Sequence, residues 1–155
     1  MTKQQIKTSP LSYRNRLALK RSDELFVRIM NKLSIGKLYR KPNYTSRMLA
    51  QELGCDTRHI AASVAVHTNG GNFRMLINSL KLREACRLLK SKKHAGYSVE
   101  EIGLSAGFAS RQAFYVAFHR KYNVTPREFR QEVQAQASVA EIEENDPAPC
   151  CEGDR

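Results

Sequence analysis

The sequence lacks the residue patterns that mark several classes of protein. It contains no tryptophan and only four cysteines, and no Cys-x-x-Cys pair occurs. The four histidines have no metal-ligand spacing. No carboxylate pair, Ser/His/Asp or Cys/His arrangement, or phosphate-binding glycine loop can be recognised. We therefore expect no disulfide framework, no metal, no cofactor and no enzymatic activity.

Long hydrophobic runs are absent as well. No apolar segment approaches ~18 residues, and the N-terminus has no charged start followed by an apolar stretch. Neither export nor a membrane span is predicted, and the isolated cysteines suit a reducing cytoplasm. Cys55 and Cys86 are predicted to be small core residues. The adjacent Cys150 and Cys151 have no neighbours in sequence that would make them a redox or metal site.

Acidic residues are scarce except near the C-terminus. The net charge is +11, and residues 1–21 carry six Lys/Arg and no Asp/Glu. Residues 22–130 carry 19 basic and eight acidic side chains, whereas residues 131–155 carry one Arg against seven acids. A basic arm and body suit a polyanionic partner, because each neutralised phosphate releases counterions. Charge alone is equally compatible with a basic protein that has no such partner.

The hydrophobic spacing is helical throughout, and no stretch shows the alternation of strands. We predict an all-α fold of about seven helices, with Ser22 capping the first. A long helix is expected at about 73–89, and the last helix should run from Pro126 to about Val133. The predicted domains are a basic arm (1–21), a helical domain (22–133) and an acidic disordered tail (134–155).

An internal repeat divides the helical domain into two helix-turn-helix units, unit one at about 45–66 and unit two at about 98–120. The segment from Leu49-Ala50 to Leu53-Gly54 recurs 53 residues later as Ile102-Gly103 to Ala106-Gly107. Beyond the turn the offset is 54, and it pairs Asp56 with Ser110, Ile60 with Phe114 and Val64 with Phe118. The long helix between the units would span about 25 Å. Two such units could enter successive major grooves ~34 Å apart.

The motifs of this doublet resemble the AraC-type family of bacterial transcription regulators over roughly residues 22–130. Unit two carries the family pattern at Gly107-Phe108, Phe114, Phe118, Thr125-Pro126 and Phe129-Arg130, and the segment from Leu82 to Leu89 resembles the family's linker helix. The resemblance implies a cytoplasmic bacterial DNA-binding regulator with double-stranded DNA and RNA polymerase as partners. Since 21 residues precede the doublet, we expect a stand-alone member without a ligand-binding domain, and a monomer is compatible with a two-groove site.

The sequence also departs from the family pattern. Ala62 and Val116 stand where the resemblance implies an arginine that contacts a base edge. Val64 replaces a phenylalanine, and Asn69 and Asn123 stand where glycine is common. Two lost Arg–guanine contacts, each worth ~1–3 kcal/mol of discrimination, predict a weaker or altered sequence preference. The phosphate contacts that supply non-specific affinity are not affected.

Candidate DNA contacts follow from the exposed face of each second helix and from the basic residues near helix ends. The predicted base contacts are Thr57, Arg58, Ala61, Arg111, Gln112 and Tyr115. The predicted phosphate contacts are Arg40, Lys41, Thr45, Arg47, His59, Ser98, Arg120, Lys121 and Arg127. Thr45 and Ser98 are also expected as helix caps, a role that needs no ligand.

A second function remains open from the sequence. The small residues Ala61, Ala62, Ala65 and Val116 could form a surface that packs on another protein. In that case the chain would be an interaction or architectural module that keeps the helix-turn-helix fold without contacting bases. The basic body argues against this alternative.

Overall fold

The computed structural model describes residues 10–143, and within that range the fold is all-α, as predicted. Seven α-helices and two 3₁₀ turns, at Leu38–Arg40 and Lys92–His94, account for the regular structure, and residues 10–143 form no strand. The helices are α1 (Pro10–Ile35), α2 (Ser46–Leu53), α3 (Thr57–His67), α4 (Phe73–Lys90), α5 (Val99–Ser105), α6 (Arg111–Tyr122) and α7 (Pro126–Glu143). The described residues divide into two compact bodies, 10–81 and 82–143, with the boundary inside α4.

The N-terminal body is built around α1, α2 and α3. Its fully buried side chains come from all three helices, and they include Ile29 and Leu33 of α1, Leu49 of α2, and Ile60 and Val64 of α3. These apolar residues recur at helical spacing on one face of each helix, which is the pattern that drives helices to pack. Leu49, Ile60 and Val64, the apolar residues that the repeat places in unit one, are thus fully buried.

Polar contacts hold α1 against α3 at the edge of this core. The His67 ring stacks on Phe26 with ring centroids 4.1 Å apart, and its Nε2 lies 3.0 Å from Asp23 Oδ1. The Ser63 hydroxyl donates to the Ser22 carbonyl at 2.8 Å. Because both polar contacts reach the middle of α1, this helix is part of the first helix-turn-helix body.

The C-terminal body has an aromatic core. Phe114 and Phe118 of α6 are 0% exposed, and the Phe118 ring meets Tyr122 at 4.7 Å and Phe129 at 5.5 Å between centroids. Burial of each aromatic side chain stabilises the fold by about 1.5–3 kcal/mol. Arg130, the last residue of the family-like motif, donates from Nη1 and Nη2 to the carbonyl oxygens of Tyr97, His94 and Ala95 at 2.6–3.0 Å. Arg130 thus stabilises the loop before α5 through these hydrogen bonds.

The turn and cap residues behave as the repeat predicts. Gly54 and Gly107 have positive φ, 66° and 98°, a conformation that glycine adopts without strain. Asp56 and Ser110 are the N-caps of α3 and α6, and their side chains accept from Arg58 N and Ala113 N. Asn69 and Asn123, which replace family glycines, have φ of 52° and 57°. The two substitutions therefore keep the left-handed turns, because asparagine tolerates this region better than most residues do.

Two predicted helix ends are wrong. α1 begins at Pro10, so Ser22 lies inside the helix and is not its cap; the preceding segment is rich in Leu, Ala, Lys and Arg, all strong helix formers. α7 continues past Val133 to Glu143, so ten residues assigned to a disordered tail are helical. Residues 1–9 and 144–155, with Cys150 and Cys151, lie outside the described residues.

Candidate nucleic-acid interface

The first turn of α6 presents polar side chains to solvent. Ser110 caps the helix, and the buried Phe114 and Phe118 fix its rotation about its own axis. Arg111 and Gln112 are exposed just after the cap, as predicted. The N-terminal residues of a recognition helix are those that reach base edges in helix-turn-helix proteins. The arrangement therefore matches the geometry that major-groove contact requires.

The acidic residue Glu100, which is not among the residues predicted from the sequence, contacts two side chains of this turn. Glu100 Oε1 accepts a hydrogen bond from the Tyr115 hydroxyl at 3.2 Å and lies 3.3 Å from Arg111 Nε. The Arg111 guanidinium lies over the Tyr115 ring, 5.3 Å from its centroid. Each of the three side chains contacts the other two, and we call them together the Glu100 cluster. These contacts favour one orientation of Arg111 and of the half-buried Tyr115.

The Glu100 carboxylate is charged at neutral pH. Its pKa lies below its ordinary value, first because its own backbone N–H donates to it and then because of the Tyr115 hydroxyl and the positive charges of Arg111 and Arg127. A negative charge thus lies among the predicted DNA contacts. It offsets part of the attraction that the neighbouring arginines offer a phosphate backbone.

Unit one presents fewer polar groups. Arg58 has a side chain 91% exposed and forms an ion pair with the cap residue Asp56 at 3.3 Å. Thr57 is half-buried and donates to Asp56 Oδ1 at 3.4 Å. Ala61 and Ala62 are exposed and offer no hydrogen bond. The pKa of Asp56 is lowered, first by the Arg58 backbone N–H and then by the Arg58 side chain, so this acid is also ionised.

The predicted phosphate contacts in the N-terminal body are distributed around α2 and the start of α3. Lys41, Arg47 and His59 are exposed, and Arg40 is half-buried. Thr45 caps α2 by accepting from Met48 N at 3.3 Å. The cap role predicted for Thr45 is thus confirmed, whereas its phosphate contact remains a prediction.

In the C-terminal body the corresponding residues are Arg120, Lys121 and Arg127, all exposed. Ser98 forms a complete capping box with Glu101, its hydroxyl accepting from Glu101 N at 3.1 Å while its own N–H donates to Glu101 Oε2 at 2.7 Å. The Ser98 hydroxyl is therefore already engaged in the fold, and a phosphate would have to share it.

A hollow of about 520 Å³ lies beside the exposed face of α6. Its lining is Tyr115, Val116, His119, Arg120 and Thr125. From the sequence, Val116 is predicted as a departure from the family pattern and as part of a small-residue surface, but a concavity beside it is not predicted. The Glu100 cluster could not be predicted from the sequence, because its contacts join α5 to α6 across a turn and leave no periodic signal.

Between residues 10 and 143, no group of three or more His, Cys, Asp or Glu side chains is placed to hold a metal ion. No helix in the same range is long and apolar enough to cross a membrane.

Comparison with known proteins identifies the family. Residues 49–132 match the model of a helix-turn-helix domain family of AraC type, which covers more than half of the chain. The protein therefore belongs to the AraC-type helix-turn-helix family, a family of DNA-binding regulators. No curated protein matches the sequence.

The fold is also similar to a solved structure of a protein of unknown function from Listeria innocua. The TM-score is 0.52 at 19% sequence identity, and the match covers 66% of this chain and 94% of the other. At this identity the likeness concerns the fold alone.

Proposed function

We propose that the protein is a bacterial, sequence-dependent DNA-binding transcription regulator without enzymatic activity, acting in the cytoplasm and able to work as a monomer. The observation that carries this proposal is the first turn of α6, where Arg111 and Gln112 are exposed on a helix anchored by two fully buried aromatics. Membership of a DNA-binding family supports the same conclusion.

The chemistry of unit two supports contact with a guanine and an adenine. Arginine pairs bidentately with guanine O6 and N7, and glutamine with adenine N6 and N7. Because the ion pair with Glu100 is made through Arg111 Nε, the two terminal Nη nitrogens are the donors that would meet guanine. Both side chains leave the first turn of α6, so the two contacts would fall within one half-site.

Unit one would contribute less to base recognition. Arg58 is its strongest candidate, with Thr57 beside it and Ala61 limited to contact with a thymine methyl group. Two units, each with its own core, would let one chain contact two successive major grooves. A protected site of about two helical turns of DNA is the expected footprint.

The exposed lysines and arginines would hold the DNA backbone, and RNA polymerase is the expected partner of a bound regulator. With ~5 phosphate contacts, the logarithm of affinity should fall with the logarithm of salt concentration at a slope near −4 to −5. Lys121→Ala should weaken all DNA sequences about equally and make that slope shallower by ~1.

The decisive experiment is selection of bound duplexes from a random pool, followed by titration of the preferred duplex and of random DNA at two salt concentrations. Arg111→Ala should cost ~1–3 kcal/mol on the preferred duplex and little on random DNA. Equal weakening on both would make Arg111 a phosphate contact. A flat salt response would contradict the proposal and favour a protein-interaction module.

That second function has one observation in its favour, the exposed apolar side chains of the second helices. Val116 of unit two is 62% exposed, and in unit one Val66 is 52% exposed, with Ala61 and Ala62 exposed on the same helix. A protein partner that captured wild type but not a Val116→Asp variant, in the absence of DNA, would support it.

A further inference from the structure

Val116 occupies the outermost position of α6. Successive helical residues are rotated by about 100°, so Val116 lies about 160° from both Phe114 and Phe118. Those two rings are fully buried, and Val116 therefore points directly away from the core, with 62% of its surface exposed. The family resemblance implies an arginine here, whereas this chain has a short, stiff, apolar side chain.

The surroundings of Val116 are concave and mainly apolar, and the lining includes one cation, Arg120. Tyr115 and Val116 form one wall of the hollow of about 520 Å³, and His119, Arg120 and Thr125 complete it. Tyr115 is fixed by its hydrogen bond to Glu100 at 3.2 Å. This hydrogen bond orients the Tyr115 ring beside Val116.

The chemistry of this hollow fits one feature of duplex DNA. Thymine carries the C5-methyl group, the one apolar group that base pairs present in the major groove, and valine can recognise it only by van der Waals contact. A protein partner with an apolar side chain would suit Val116 as well, but Arg120 in the lining, the exposed Lys121 next to it in sequence and the net charge of +11 favour a polyanion. Charge complementarity thus selects DNA as the occupant.

We propose that Val116 is a specificity-determining residue that contacts a thymine methyl group, so that unit two recognises a thymine next to the bases contacted by Arg111 and Gln112. This inference rests on the proposed function. A methyl group buried against valine should strengthen binding about fourfold, because burying one such group contributes ~0.8 kcal/mol. Cytosine at that position would lack the methyl group and also present a donor that valine cannot satisfy.

The test is replacement of thymine by uracil, which removes only the methyl group. The full chain is titrated with its selected duplex and with a series in which each thymine in turn is replaced by deoxyuridine. For wild type, replacement at one or two positions should weaken binding about fourfold. For Val116→Ala the same replacements should have less than about half that effect on a logarithmic scale, since most of the contact is gone.

Val27→Ala is the matched control, because Val27 is a similarly exposed valine, 57% against 62%, on α1. Its response to uracil should equal that of wild type. Duplex binding without any uracil effect, or with an effect unchanged in Val116→Ala, would overturn the inference while leaving the proposed function intact. Failure to bind any duplex would overturn both.

Discussion

Gly103 offers a sharp test of the packing between α5 and α6. It is a buried residue of α5, and the family resemblance implies alanine at this position. On helix propensity alone, Gly103→Ala should stabilise the protein by about 0.8–1 kcal/mol. The structure predicts the opposite. A Cβ at this position would lie 2.5 Å from Phe114 Cδ1 and 2.8 Å from its Cγ, well inside the contact distance of two carbon atoms.

The Phe114 ring has little freedom to give way. It is 0% exposed, and its centroid lies 5.1 Å from that of Phe108 and 5.6 Å from that of Phe118. Overpacking a filled core typically costs about 1–3 kcal/mol, and a contact this short falls at the upper end. After the helix-propensity gain is subtracted, we expect Gly103→Ala to lower the free energy of unfolding by about 1–2 kcal/mol.

Urea unfolding followed by helical circular dichroism measures this change. A Phe114→Leu background should remove most of the penalty, because leucine leaves space for the new methyl group, so the double-mutant cycle should show coupling. Ala50, the matching residue of unit one, supplies the reference. Ala50→Gly should destabilise by about 1 kcal/mol or more. A Gly103→Ala variant as stable as wild type would refute the packing argument.

Three further predictions concern single contacts. Glu100→Gln should raise affinity for random DNA about two- to fivefold, since it removes a charge that repels phosphate, and should lower the ratio of preferred to random binding. Glu132→Gln, an exposed control on α7, should leave that ratio unchanged. The pKa of Glu101 lies below its ordinary value of 4.5, chiefly through the Ser98 backbone N–H, so its contribution to stability is present above that pH and is lost as pH falls through the folded value. Glu101→Gln should flatten this part of the stability–pH curve. Arg130→Ala should lower the free energy of unfolding by about 1.5–3 kcal/mol, since three carbonyls lose a charged donor; selective loss of DNA affinity instead would contradict its structural role.

The parts of the fold that sequence could predict are those fixed by neighbouring residues. Asp56 and Ser110 cap helices because a short polar side chain reaches the free N–H groups of the next turn, and Gly54 ends α2 because the chain must adopt positive φ there. The start of α1 could not be placed by the same signals. Ser22 has the chemistry of a cap, but the helix-forming residues before it extend the helix toward the N-terminus, so that it begins at Pro10.

In the candidate site, too, features set by nearby residues could be predicted and tertiary contacts could not. Exposure of Arg111 and Gln112 follows from periodicity, because Phe114 and Phe118 define the buried face. The contact of Glu100 with Arg111 does not, since it depends on how α5 packs against α6 across the Gly107 turn. A tertiary contact of this kind has no fixed sequence spacing.

The acids beside the two arginines bear on how a small basic protein could discriminate among DNA sequences. Arg58 is paired with Asp56 and Arg111 with Glu100, so each candidate base-contacting arginine has an ionised carboxylate within 3.3 Å. On the proposed function, these carboxylates weaken attraction to phosphates on every sequence. They leave base contacts less affected, because an arginine already oriented loses less freedom on pairing with guanine. Specificity is the ratio of the affinity for the preferred sequence to the affinity for random DNA. Lowering the affinity for random DNA therefore raises specificity as effectively as a new base contact does.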